Sequence, residues 1–120
     1  MKVYSNAFVH KETGDILGYD LAVKRHADSS VEAFLYIYEG APNKDGIPLY
    51  GRILGNHISV QGQWVAHSTE MPSRREVVQT SLVKIDGLLD SASFKGEVTI
   101  QGSGPEQVRL RHVNRIWLCP

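Results

Sequence analysis

Any chemistry in this chain has to come from five histidines, a few carboxylates set in apolar stretches and one cysteine. Histidine titrates near neutrality, so His10, His26, His57, His67 and His112 are each possible acids, bases or ligands. The first four fall at strand ends or beside turns, where a solvated ring is the plain reading. His112 differs, because it alternates with Val108, Leu110, Ile116 and Leu118 and has Asn114 beside it. A polar pair on a face that points into an apolar interior must be hydrogen-bonded or must bind something. Two readings stay open: a satisfied core histidine, or one that faces a ligand. A metal site needs three or four converging ligands, and only this one histidine is firmly inward, so no metal is expected. Asp20 and Glu39 are carboxylates within apolar strands. Each could be a general base with a raised pKa or could simply face solvent, and nothing pairs the two. Cys119, the only cysteine, has no base patterned around it and no partner for an internal disulfide. Phosphate-binding loops, Cys/His metal spacings, nucleophile elbows and dinucleotide fingerprints are all missing, so no cofactor is expected.

Tyr19, Tyr36, Tyr38 and Trp64 are the other interior candidates. Rigid aromatic walls with a few polar atoms describe a small-molecule pocket. They describe a filled core equally well. The expected ligand-lining set is Tyr19, Tyr36, Trp64, His112 and Asn114.

The elements that must position these residues read mostly as β-strands. In Ile16–Arg25, Leu17, Tyr19, Leu21 and Val23 share one face while Asp20, Ala22 and Lys24 take the other, the pattern of a half-buried antiparallel strand. A first strand is expected at about Val3–His10, before a turn at Glu12-Thr13-Gly14-Asp15. Val31–Glu39 has some helical spacing, but the run Phe34-Leu35-Tyr36-Ile37-Tyr38 is dense in aromatic and β-branched residues and reads as a strand covered on both faces. Further strands are expected at Ile47–Leu54, His57–Ser68, Ser93–Gln101 and Gln107–Leu118, with Ile58, Val60, Trp64 and Ala66 looking inward. Val77–Leu88 is read as a strand. A helix near 74–88, supported by Val78, Leu82, Ile85 and Leu89 and by a capping-box match at Ser73 and Glu76, is the alternative and would make the fold α+β.

Two stretches, Gly51–Gly62 and Gly87–Gly96, echo one another: apolar alternation, a turn, then alternation again. With no linker or low-complexity stretch in 120 residues, the chain reads as a single domain over 1–120. The expected fold is all-β, a single eight-stranded antiparallel meander closed into a barrel. Closure removes exposed edges, and about eight strands leave an interior fit for side chains or one small ligand. Thr13-Gly14-Asp15-Ile16-Leu17-Gly18-Tyr19, the two glycine-bounded hairpins and the closing Leu110-Arg111 and Arg115-Ile116-Trp117 resemble lipocalin-like small β-barrels, including uncharacterised bacterial ones. One feature departs from the pattern: lipocalins place a Gly-x-Trp on the first strand, whereas here Gly62-Gln63-Trp64 sits mid-chain and the first strand has no Trp. The resemblance implies architecture and assigns no functional residue.

Thirteen basic and thirteen acidic residues cancel and are interspersed, which argues against nucleic acid as a partner. Arg109, Arg111 and Arg115 on one strand face would be the stripe if there were one. No apolar stretch is long enough to cross a bilayer, so no membrane partner is expected and the cytoplasm is the expected compartment. The expected function is non-catalytic binding of a small, mostly apolar or amphipathic molecule inside the barrel, with a possible homodimer through Val31–Glu39. A small isomerase- or cyclase-type enzyme with His112 or Tyr36 as acid/base is one alternative. A protein-interaction module acting through the loops Gly40–Gly46 and Glu70–Arg75, or through the arginine face, is the other.

Overall fold

The structure is a computed structural model that describes residues 1–40, 45–67 and 77–114. The expectations placed on Ser73, Glu76, the Glu70–Arg75 loop, Arg115, Trp117 and Cys119 lie outside the described residues. Nine strands follow in chain order: β1 (Lys2–Ser5), β2 (Phe8–Val9), β3 (Ile16–Arg25), β4 (Ser30–Gly40), β5 (Ile47–Leu54), β6 (His57–His67), β7 (Val77–Leu89), β8 (Ser93–Ile100) and β9 (Glu106–Val113). Each pairs antiparallel with the next from β3 to β9, and β1 bonds to both β9 and β3. The result is the expected closed eight-stranded antiparallel barrel, with β2 as an added strand on β3. Among the described residues no helix is long and apolar enough to cross a membrane.

Period-two burial decides the segment read two ways. In β7, Ser81, Val83, Ile85 and Leu89 are buried, while Leu82, Lys84, Asp86 and Leu88 are exposed. The helical spacing of Leu82, Ile85 and Leu89 is incidental to that alternation. The first strand is not continuous as expected but breaks at Asn6-Ala7 into β1 and β2, which keep one register on β3. The break has a side-chain cause. Asn6 N–H donates to the Tyr19 carbonyl at 3.1 Å, and its Oδ1 accepts from Tyr19 N–H at 2.7 Å. Gly18 makes room for this with φ +110°, and a Cβ there would stand 2.7 Å from Asn6 Oδ1.

The barrel interior is filled. Its inward faces supply Tyr4, Leu21, Val23, Val31, Ala33, Leu35, Ile47, Leu49, Ile53, Ile58, Val60, Val83, Ile85, Leu89, Phe94, Val98, Val108 and Leu110, none more than 7% exposed. Small and large side chains alternate to fit the bore. Phe94 lies over the facing glycines Gly87 and Gly96, where an added Cβ would meet its ring at 3.0 and 2.8 Å. Each fully buried Leu, Ile or Phe contributes about 1.5–3 kcal/mol of transfer free energy.

Candidate functional site

An up-and-down barrel gathers every second turn at one end. The turns at 26–29, 55–56 and 90–92 meet at the start of β1, and we call this the proximal end; the turn at 101–105 and the start of β3 mark the distal end. Backbone bonds lace the proximal turns together: Ile53 N–H to Ser29 O at 3.0 Å, Leu89 N–H to Asn56 O at 2.7 Å, and His112 N–H to Ala92 O at 2.8 Å.

A cavity of about 560 Å³ opens at this end. Its floor is apolar, made by Tyr4, Val23 and Leu89 from the top of the core. Its rim carries Lys2, Lys24 and Arg25, with Asn56 and Ser91 as neutral polar groups. The one carboxylate on the rim, Asp90, is already engaged. Its Oδ1 accepts from the N–H groups of Ala92 and Ser93, both at 2.7 Å, and these bonds hold its pKa below the ordinary aspartate value. The Asp90 carbonyl accepts the Tyr4 hydroxyl at 2.8 Å, fixing the ring in the floor. Burial raises the Tyr4 pKa, with Arg25 acting against it and Asp90 with it. No described residue forms an ion pair with Lys2, Lys24 or Arg25. A volume of this size, an apolar floor and a cationic rim suit a small amphipathic anion.

The expected lining residues do not come together. Tyr19 and Trp64 do face inward, packed on the core at the distal end. The Tyr19 hydroxyl donates to Glu106 Oε2 at 2.6 Å; burial first, and then this carboxylate, push its pKa up to about 12. Tyr36 is a correction. It lies on the outer face of β4, opposite Asp20, because Leu35 and Ile37 take the inward positions of that strand. Its pKa is raised by burial and by the Asp20 charge. His112 is a second correction. It does occupy the inward face, across from Tyr4, but at the proximal end where the bore opens, so it is exposed; its ring packs edge-on against Tyr4 at 5.8 Å. Asn114 is exposed and lies just past the end of β9, outside the bore. Tyr38 joins Asp20 on the outer face, where its hydroxyl donates to Asp20 Oδ2 at 2.8 Å. Asp20 is wholly buried there although it faces outward, and Glu39 is exposed.

Sequence reasoning missed Tyr4, Lys24, Arg25 and Asp90. The signal was topological: in a meander, the residues flanking alternate turns must share an end.

A serine, a histidine and an aspartate do meet on the outer surface, but in the wrong order for catalysis. His57 Nε2 lies 2.6 Å from Asp86 Oδ1, and Ser59 bonds to the same carboxylate; these bonds lower the Asp86 pKa. The carboxylate sits in the middle, so the imidazole is not placed to take the serine proton. Both members of the ion pair are exposed. Among the described residues no three His, Cys, Asp or Glu side chains converge as metal ligands. No protein-family model matches the sequence, and no curated protein or solved structure matches the chain.

Proposed function

We propose that this protein is a non-catalytic binder of a small amphipathic molecule, held at the proximal mouth with its apolar part on Tyr4, Val23 and Leu89 and an anionic group among Lys2, Lys24 and Arg25. The observation that carries the reading is the combination of about 560 Å³ of open volume with three cations that pair with no described residue. The filled interior favours the mouth over the depth of the bore, since any ligand inside would have to displace close-packed side chains. The lipocalin-like likeness belongs to the same proposal and extends to architecture and style of use. So do the cytoplasmic compartment and a homodimer, for which β4 offers an outer face but no free edge, being bonded on both sides.

Native mass spectrometry of the protein purified from lysate tests the reading. A mass excess that disappears on denaturation and belongs to an anionic amphiphile supports it. A protein that stays at its chain mass, and also fails to take up added decanoate, refutes it.

A further inference from the structure

The barrel's seam is closed over only part of its length. β9 bonds to β1 at Val113, His112 and Arg111, and there the pairing stops. Past Ser5 the chain stays on β3 as β2 but leaves β9. His112 N–H points to the β8 side, where it bonds to Ala92 O in the turn that leads into β8. By alternation along a strand, Leu110, Val108 and Glu106 also point to β8, and Arg109 and Gln107 direct their backbone N–H and C=O into the seam. No described residue pairs with them there. The facing edge at Ala7 is partly blunted, since its N–H donates to Ser5 Oγ at 2.9 Å. Among the described residues β9 has no such device.

The same seam forms a groove of about 380 Å³ lined by Ser5, Asn6, Phe8, Arg109, Arg111 and Val113, with no carboxylate among its walls. Arg109 and Arg111 project from one face of β9, and Lys95 stands directly across from Arg109 on β8. Neither guanidinium forms an ion pair or side-chain hydrogen bond with a described residue. A free strand edge asks for backbone partners, and two cations at positions i and i+2 ask for anions at a spacing of about 7 Å. One kind of ligand supplies both. We propose that the seam docks an extended, acidic segment of a partner protein, which adds a strand to β9 beside Gln107 and Arg109, where β1 has left it, and sets one carboxylate against Arg109 and the next within reach of the Arg111 side chain at the end of the β1 pairing. The unmet backbone groups are what separate this from binding of a nucleic acid, which would use the charges and leave the edge bare.

The probe is a short fluorescent peptide with Glu at alternate positions and Val or Thr between them. It should bind and slow hydrogen exchange of the Gln107 and Arg109 amides. N-methylation of alternate peptide bonds should abolish binding. The exposed double substitution Arg109→Glu with Arg111→Glu should weaken binding on the order of tenfold or more, while leaving decanoate uptake and the melting temperature unchanged. Absence of binding, or equal binding of the N-methylated peptide, overturns the proposal. Tighter binding of oligo-dT than of the peptide, lost in the same double variant, also overturns it in favour of nucleic acid.

Discussion

At the distal end of the barrel, Tyr19 bonds to Glu106 across the seam, and Trp64, Ile37 and Ile100 pack against the core. At the proximal end, Lys2, Lys24 and Arg25 surround an open cavity and pair with no described residue. Both ends face the same task, which is to finish a bore whose middle is apolar. The distal end does so with aromatic surface and an internally satisfied polar pair. The proximal end leaves cations in place over an apolar floor. The contrast teaches that polar residues at a barrel mouth carry functional information only when their partners have been counted. Tyr19 looked like a binding residue by type and position, but its hydroxyl is already used. Arg25 marks only the end of a strand in the sequence, yet like Lys2 and Lys24 it forms no ion pair with a described residue.

Substitutions at the middle and at each end should separate these roles. Phe94→Ala removes the ring over Gly87 and Gly96, and should destabilise the fold by about 3–5 kcal/mol in urea titration, because the facing glycines offer nothing to refill the space. Trp64→Ala, at the half-buried distal end, should destabilise by about 2 kcal/mol and leave ligand uptake at the proximal mouth unchanged. A Trp64 variant with normal stability but lost uptake would reverse the assignment of the two ends. Lys24→Glu with Arg25→Glu should do the opposite: ligand affinity falls on the order of tenfold, equivalent to about 1.4 kcal/mol, with the melting temperature nearly constant.

Proton titrations sharpen the contrast further. Tyr19 has its folded pKa raised to about 12, above the ordinary tyrosine value, so the unfolded chain gives up this proton first. Its contribution to stability is complete below pH ~10 and is lost between pH ~10 and ~12. Ultraviolet titration should show Tyr19 among the tyrosines that ionise late, with Tyr4 and Tyr36, and Glu106→Gln should bring the Tyr19 share earlier. At the proximal end the linkage runs the other way. The Asp90 pKa is depressed by the turn's N–H groups, so its contribution is present above the unfolded aspartate value and falls away as acid protonates the folded group. Asp90→Asn should therefore give a small loss of melting temperature at neutral pH and a shallower decline below pH ~4.

Much of this fold was legible in the residues. Alternation in Ile16–Arg25 and the two glycine-bounded hairpins gave the strands, their faces and closure, and the inward places of Tyr19, Leu21, Ile58, Val60 and Trp64 followed from period two. What escaped has physical reasons. Tyr36 belongs to a strand apolar on both faces, where alternation cannot tell inside from outside until Leu35 is seen in the core. The break at Asn6 rests on one side chain replacing a backbone partner, and composition carries no trace of that. His112 keeps the inward parity it was given, yet parity along a strand says nothing about depth, and it sits where the bore opens. The candidate site was hidden for a related reason: its residues are spread from Lys2 to Ser91, and only the up-and-down connectivity collects them.

The proposed function places an amphipathic anion at the proximal mouth, and not in the bore or at the distal end. The most direct measurement is a titration of the isotope-labelled protein with decanoate, followed by amide chemical shifts residue by residue. Binding at the mouth should give saturable shifts centred on Lys2, Tyr4, Lys24, Arg25 and Ser91, and these should be lost in the Lys24→Glu, Arg25→Glu variant. Shifts centred on Tyr19 and Trp64, or none at saturating decanoate, would contradict that placement.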